Sequence, residues 1–280
     1  MPALHRGEAD PDCYLDFDLR GDEGPAVVQL HGLTSSRERE DLIAVDLMGE
    51  LRGCRVLRYD ARGHGRSSGP DDAGSYGWPT LAADLVALLE HVFPGERVHG
   101  VGSSMGSGTL LHAALAAPRL FSSLTLCIPP TAWETRVVQA AAYEECARTV
   151  ETAGVDALVE AGRLAPLPPA ENPDKPVTWP DVGIDLLPTV FRGAALTDMP
   201  EPDALRGLDV PTLVLAWVDD PAHPVSTSER LADLLPDCRL EVAHAHPDVR
   251  AWPGMVASLV HGAGSARAGA SPLDMPCPRG

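Results

Sequence analysis

The stretch RVHGVGSSMGSGTLLHAALAA, residues 97–117, decides the fold of this chain. An apolar strand (97–104) runs into a sharp turn, and a helical pattern (104–117) follows. The turn fits G-x-S-x-G centred on Ser104, and because such a tight turn crowds its neighbours, the flanking Gly102 and Gly106 carry no side chains. We therefore expect the Ser104 hydroxyl to project above the sheet edge. The backbone N–H of Met105, at the helix N-terminus, is expected to face a developing oxyanion.

The same glycines allow a competing interpretation. Gly100, Gly102 and Gly106 form a loose G-x-G-x-x-x-G pattern, which is typical of dinucleotide-binding turns. Such a site expects an acidic residue about 20 positions on, at the end of the next strand, to hold the ribose. Here that strand ends in CIPP (127–130), without a carboxylate. The sequence therefore favours a serine nucleophile over a dinucleotide site.

The elements around this turn alternate between strand and helix. Buried strands are predicted at 26–32, 54–60, 122–130, 210–218 and 238–243, and helices at 38–52, 80–92, 227–235 and 248–261. This alternation predicts an α/β fold with a mostly parallel sheet and helices on both faces. After Pro130 the pattern becomes helical and proline-rich. We predict a core of 1–130 and 208–262, an inserted helical lid of 131–207, and a disordered tail of 263–280.

Composition narrows the classes of partner. The chain has 280 residues and a formal net charge of -18, which disfavours nucleic acid and anionic membranes because both attract basic surfaces. The six cysteines lack C-x-x-C spacing, and no His, Asp or Glu pattern suits a metal, so we expect no metal and no cofactor. No signal-like or membrane-spanning run is present, so a reducing cytoplasm is expected. The expected partner is a small-molecule substrate, and the oligomeric state, monomer or homodimer, stays open.

Three motifs together resemble the α/β-hydrolase superfamily. They are LHGLTSS (30–36), YDARGHGRS (59–67) and VGSSMGSG (101–108), which lie in the family's order at the ends of consecutive predicted strands. The resemblance implies an α/β-hydrolase fold with a lid. It also implies that the backbone N–H of Leu33 joins that of Met105 in an oxyanion hole. His31 is then a structural residue beside the pocket rather than a catalytic one, and His64 shapes its own loop.

A serine hydroxyl needs a base, and the base needs a carboxylate that fixes its tautomer. In this fold the chain order is Ser, acid, His. The strand 210–218 leads into Asp219 and Asp220, and the family's D-x-x-x-P spacing to Pro224 selects Asp220, with Asp219 as the alternative. Trp217 is a departure, since the family often has Gly before the acid loop.

The base is expected after the last strand, in the segment His244-Ala245-His246. Family members usually have a proline seven residues beyond the catalytic histidine, and Pro253 lies seven beyond His246. His246 is therefore the predicted base and His244 the alternative. Ala245 stands where the family commonly has Gly, so the loop is expected to run somewhat differently.

A serine nucleophile indicates acyl transfer to water, because the branches of the family that displace halide or open epoxides attack with a carboxylate. The lid aromatics Trp133, Tyr143, Trp179 and Phe191 predict a mostly apolar pocket, with His223 at its mouth. Acidic residues outnumber basic ones in the lid, which favours a neutral ester or lactone over a coenzyme A thioester. Thioesterase, carbon–carbon bond hydrolase, lyase, acyltransferase and a non-catalytic binding protein remain alternatives.

Overall fold

The protein is described here as a computed structural model covering residues 2–6, 13–43 and 45–268. Eight strands form one sheet in the order β1-β2-β4-β3-β5-β6-β7-β8. The strands are β1 (Ala3–His5), β2 (Tyr14–Arg20), β3 (Ala26–Leu30), β4 (Arg55–Tyr59), β5 (Val98–Ser103), β6 (Phe121–Cys127), β7 (Thr212–Trp217) and β8 (Cys238–Ala243). Strands β3 to β8 pair in parallel, as the alternation of strands and helices predicts.

The N-terminal strands were not predicted. β1 pairs antiparallel with β2, and β2 pairs antiparallel with β4, with Phe17 opposite Tyr59. Asp16 and Asp18 alternate with apolar side chains along β2 and bind Arg37 on the first helix. The strand therefore extends the sheet beyond β4 and ties its edge to the loop that carries the HG motif.

Helices cover both faces of the sheet. Successive residues of a buried strand point to opposite faces, so each strand packs against helices on both sides. Val28 of β3 packs in the cluster that contains the helices at 78–92 and 105–116, whereas its neighbour Val27 packs in the cluster that contains Trp252 and Val256. The helices of the core are α1 (Arg37–Ile43), α2 (Trp78–Val92), α3 (Met105–Ala116), α8 (Val225–Leu234), α9 (His246–Val249) and α10 (Trp252–Ala268).

Two helix bounds differ from the predicted ones. The predicted helix 38–52 is α1 followed by turns, so it ends near residue 43. The predicted helix 248–261 is split into α9 and α10. Because α10 continues to Ala268, the first six residues of the predicted tail are helical, and residues 269–280 lie outside the described part of the chain.

Between β6 and β7 the chain leaves the sheet and forms α4 (Arg136–Ala153), α5 (Val155–Leu164), α6 (Leu187–Ala195) and α7 (Pro202–Leu205). We call residues 131–207 the inserted segment. Arg136 links this segment to the core. Its buried guanidinium donates to the carbonyls of Thr197 (2.9 Å) and Ala194 (2.6 Å) within the segment, and it lies 4.6 Å from the ring centroid of Trp78 on α2. Among the described residues, no helix is long and apolar enough to cross a membrane.

Candidate active site

Ser104 sits at a strained turn between β5 and α3. Its backbone has φ 51° and ψ −111°, a conformation that costs an L-residue about 1–3 kcal/mol. The turn is held by its glycines: a Cβ on Gly102 would lie 2.5 Å from the Gly106 carbonyl, and one on Gly106 would lie 2.8 Å from Leu30. The packing therefore presents the hydroxyl at the carboxyl end of β5, as the G-x-S-x-G pattern predicts.

The hydroxyl of Ser104 is linked to a carboxylate through an imidazole, by two successive hydrogen bonds. Its Oγ lies 2.8 Å from Nε2 of His223, and Nδ1 of the same ring lies 2.8 Å from Oδ2 of Asp220. All three side chains border one cavity. The arrangement lets the imidazole accept the hydroxyl proton at Nε2 while its Nδ1–H donates to the carboxylate.

Asp220 receives two more hydrogen bonds besides that of His223. The Trp217 indole N–H donates to Oδ2 at 2.8 Å, and the Ala222 backbone N–H donates to Oδ1 at 3.0 Å. Burial raises the pKa of the Asp220 carboxyl, but the hydrogen bond and charge of His223, with these two N–H groups, outweigh burial and lower the pKa to about 2. Asp220 is therefore a carboxylate at neutral pH.

The histidine beside Ser104 is not the predicted one. His246 also borders the cavity, but its Nδ1 faces the Ala170 carbonyl at 3.4 Å and its backbone N–H donates to Pro169 at 3.0 Å. Strands lie about 4.8 Å apart. β8 is three positions from β5 and β7 only two, so the loop after β7 reaches Ser104 sooner. The expected contact between His246 and Ser104 is therefore replaced by one from His223.

The two alternative residues lie outside this line. Asp219 is exposed and has φ 61°, so the chain turns sharply just before Asp220. His244 is also exposed, and its backbone N–H donates to the Asp248 carboxylate at 2.9 Å. Motif spacing and geometry thus select the same acid, Asp220, but different bases.

The backbone around Leu33 and Met105 suits an oxyanion hole. Within the described residues, neither backbone N–H donates to a protein acceptor. A Cβ placed on Gly32 would lie 3.6 Å from the Ser104 Cβ, so the 32–33 loop runs directly beside the nucleophile. Two unpaired N–H groups flanking a serine hydroxyl can stabilise a developing negative charge.

His31 supports this loop and does not border the cavity that Ser104 borders. Its Nε2 accepts the Ala61 N–H at 2.9 Å, so its Nδ1 carries the proton and donates to the Gly32 carbonyl at 2.7 Å. His64 lies 5.2 Å away, ring centroid to ring centroid, and burial lowers its pKa to about 3. Both histidines are therefore neutral packing residues, and the placement of His31 in the pocket is wrong.

A cavity of about 470 Å³ opens beside Ser104. Of the predicted lid aromatics, Tyr143 and Phe191 line it, with their stacked ring centroids 6.2 Å apart. Trp133 and Trp179 do not: the Trp133 indole donates to the Pro200 carbonyl, and the half-exposed Trp179 donates to Asp156. The apolar lining comes instead from both parts of the chain, namely Ile43, Val45, Leu47, Tyr143, Phe191, Trp217, Val249 and Trp252.

Sequence comparison places these features in a known family. The family model described as "alpha/beta hydrolase fold" matches residues 25–145, which include the HG loop and the serine turn. A protein of Variovorax paradoxus (strain S110), named "Putative carbamate hydrolase RutD", is 33% identical over 208 residues, which cover 69% of this chain and 76% of the relative. The chain belongs to the α/β-hydrolase family. The enzyme is thus a hydrolase of this fold.

Further relatives agree with that assignment. The "3-oxoadipate enol-lactonase 2" of Acinetobacter baylyi (strain ATCC 33305 / BD413 / ADP1) is 28% identical over 196 residues, which cover 68% of this α/β-hydrolase and 70% of the relative. A solved hydrolase from Pseudomonas aeruginosa PA01 superposes with a TM-score of 0.71 at 25% identity, covering 96% of this chain and 98% of that one. The similarity therefore spans the inserted segment as well as the sheet.

One signal for His223 was present in the sequence of this α/β-hydrolase. His223 follows Asp220 by three residues, and its backbone N–H donates to the Asp220 carbonyl at 3.1 Å, which closes a tight turn. Such a turn brings the ring over the carboxylate of its own loop. In the described part of the chain, no group of three or more His, Cys, Asp or Glu side chains is arranged to hold a metal ion.

Proposed function

We propose that this α/β-hydrolase cleaves a small, mostly apolar carboxylic ester or lactone through an acyl-serine intermediate on Ser104. The observation that carries the proposal is the unbroken line from Ser104 through His223 to Asp220, with 2.8 Å at each step, beside a cavity of about 470 Å³. A cavity of this volume suits a small molecule.

In the first half-reaction, Ser104 Oγ attacks the substrate carbonyl carbon while His223 Nε2 takes the hydroxyl proton. The carbonyl oxygen becomes an oxyanion, for which the N–H groups of Leu33 and Met105 are the donors. When the tetrahedral intermediate collapses, the carbon–oxygen bond to the alcohol breaks and the imidazolium returns its proton to the leaving oxygen. Asp220 stabilises the imidazolium throughout and stays ionised.

In the second half-reaction, water replaces the alcohol. His223 accepts a proton from the water, the hydroxide attacks the acyl carbon, and a second oxyanion forms at the same N–H groups. Collapse releases the carboxylic acid and returns the proton to Ser104. For a lactone the alcohol and the acid belong to one product, so the ring opens without loss of a fragment.

The names of two relatives support this reaction type. One name denotes a carbamate hydrolase and the other an enol-lactonase. Both reactions cleave the bond between a carbonyl carbon and the heteroatom attached to it. Carbamates are therefore a second substrate class to test. Thioesters are disfavoured because the inserted segment is acidic and would repel coenzyme A.

The experiment is a panel of p-nitrophenyl esters, lactones and aryl carbamates, run on the wild type and on Ser104→Ala. We expect turnover by the wild type and none above background by the variant. Labelling of Ser104 by a fluorophosphonate without turnover of any panel member would instead favour a lyase or acyltransferase. No labelling would favour a binding protein.

We further propose that the enzyme works in a reducing cytoplasm. The support is that four cysteines of the described chain, Cys54, Cys127, Cys146 and Cys238, are free thiols.

A further inference from the structure

The wall of the cavity carries two arginines that have no acidic partner. Arg39 on α1 and Arg250 after α9 both line it together with Ser104. Within the described residues, no carboxylate oxygen lies within 4 Å of either guanidinium, although most other arginines of the chain form ion pairs. Partial burial of an unpaired cation costs free energy, and a ligand of opposite charge in the cavity would remove that cost.

Arg39 is the more enclosed of the two. Its Nε donates to the Thr178 hydroxyl of the inserted segment at 2.9 Å, and among the residues that the structure describes no group accepts a hydrogen bond from the two terminal nitrogens. Burial lowers its pKa, and the more distant charges of Glu40 and Asp181 offset this only in part. The guanidinium remains charged at neutral pH, since an arginine side chain does not lose its proton in proteins.

The acidic residues at the cavity are already engaged. Glu171 forms an ion pair with Lys175, and Asp220 holds His223. Glu40 lies against the Gly32 N–H at 3.5 Å and also borders a small polar cavity with Arg37 and Arg58. Within the described residues, none of the carboxylates that line this cavity therefore forms an ion pair with Arg39 or Arg250, and Glu40 and Asp181 act on Arg39 only from beyond ion-pair distance.

We propose that Arg39 binds a carboxylate group of the substrate, remote from the carbonyl that Ser104 attacks, and that the exposed Arg250 attracts the same group at the cavity mouth. The proposed substrate class is then esters or lactones that carry a free carboxylate on an otherwise apolar chain. This inference rests on the proposed function, because it takes the ester carbonyl to lie at Ser104.

A carboxylate fits better than a more highly charged anion. The planar guanidinium pairs with a carboxylate through two parallel hydrogen bonds, and the two terminal nitrogens of Arg39 are the ones left over. The net charge of -18 and the acidic inserted segment oppose multiply charged ligands. One guanidinium can compensate a single negative charge inside an otherwise apolar cavity.

The test compares charged and neutral esters of equal length. On the acyl side the pair is mono-p-nitrophenyl glutarate and p-nitrophenyl pentanoate, and on the alcohol side 4-acetoxybenzoate and phenyl acetate. The measured quantity is the ratio of kcat/KM, charged over neutral. We expect Arg39→Gln to lower this ratio about 10- to 100-fold for at least one pair, the size of one charge-assisted hydrogen bond, and mainly through KM. Arg250→Gln should lower it about two- to threefold, because Arg250 is exposed.

Three control variants separate charge from structure. Thr178→Val removes the hydrogen bond between Arg39 and the inserted segment but keeps the guanidinium, so the ratio should stay within about threefold of wild type. Arg163→Gln removes an exposed cation of the inserted segment that is paired with Glu160 and lies away from the cavity, and it should also leave the ratio unchanged. Arg39→Lys should keep part of the ratio that Arg39→Gln loses, because lysine retains the positive charge but not the planar guanidinium that makes two parallel hydrogen bonds.

The inference is overturned if Arg39→Gln leaves both ratios unchanged, or if Thr178→Val lowers them equally. Either result, with Ser104-dependent turnover of pentanoate intact, would leave the proposed function standing. Loss of both turnover and fluorophosphonate labelling in the wild type would instead defeat the proposed function itself.

Discussion

The loops after β7 and β8 each carry a histidine to the same cavity, but they hold it in different ways. In the β7 loop, side-chain and backbone hydrogen bonds from Trp217, Ala222 and His223 converge on one carboxylate, Asp220. In the β8 loop, the His246 ring faces a backbone carbonyl at 3.4 Å. A catalytic imidazole needs a fixed tautomer and a fixed orientation. Only the β7 loop provides both.

The largest expected effect of this difference is on the base. We expect His223→Ala to lower kcat by about 10⁵-fold or more, since removal of a triad histidine in a serine hydrolase costs that much. His246→Ala should lower it by no more than about tenfold, because the ring borders the cavity without contacting Ser104. Steady-state kinetics on a p-nitrophenyl ester, with circular dichroism as the check of folding, measures both.

The reverse result would break the comparison. If His246→Ala removes activity and His223→Ala retains it, the base is His246, as the spacing to Pro253 predicts. The hydrogen bond between Ser104 and His223 would then belong to a state of the enzyme that is not catalytically active. His244→Ala serves as the matched control, because His244 lies in the β8 loop and is exposed.

The next effect concerns the carboxylate. Asp220→Asn should lower kcat by about 10⁴-fold, because the amide removes the charge and favours the wrong imidazole tautomer. Asp219→Asn should have almost no effect, as that side chain is exposed and directly precedes the turn. Kinetics at pH 7 on the same ester compares the two variants, and a near-native rate for Asp220→Asn would contradict the assignment.

The assignments of the base and the acid also show how much of the site the sequence can predict. The parallel sheet and the serine turn follow from local patterns, because glycine spacing and apolar periodicity act within one segment. Asp220 was selected over Asp219 by its spacing to Pro224, which the resemblance to the family supplies. β2 lacks a continuous apolar run, and the alternation of Leu15, Phe17 and Leu19 with polar residues is a weaker strand signal, so the sequence does not predict it.

The base and the pocket are harder to predict for a different reason. Motif spacing says which histidine follows the last strand, but not which ring reaches Ser104, and that depends on strand order and on the backbone of 169–170. The proline-rich part of the inserted segment has no periodicity, so its contacts were not predictable. Trp133 and Trp179 therefore looked like pocket residues, whereas their indoles bind the inserted segment itself.

A smaller effect sharpens the role of Trp217. Trp217→Phe keeps the stacking with Trp252, at 6.2 Å between ring centroids, but removes the N–H that donates to Asp220. A hydrogen bond to a charged group contributes about 1.5–3 kcal/mol, so we expect kcat/KM to fall about tenfold or somewhat more. The carboxylate becomes more basic, so the acidic limb of the pH–rate profile should move to higher pH. An unchanged limb with the same loss of rate would indicate a packing role only.

The smallest effect is on stability. Because the pKa of Asp220 is lowered to about 2 from its ordinary 3.8, the folded state favours the carboxylate, and this contribution is present above pH 4 and lost as pH falls toward 2. The shift corresponds to about 2 kcal/mol. We therefore expect the free energy of unfolding, from urea titrations at pH 5 and pH 2.5, to fall less with pH in Asp220→Asn than in the wild type. Equal pH dependence in the two proteins would mean that folding does not favour the ionised form of Asp220, contrary to the hydrogen bonds that converge on it in the β7 loop.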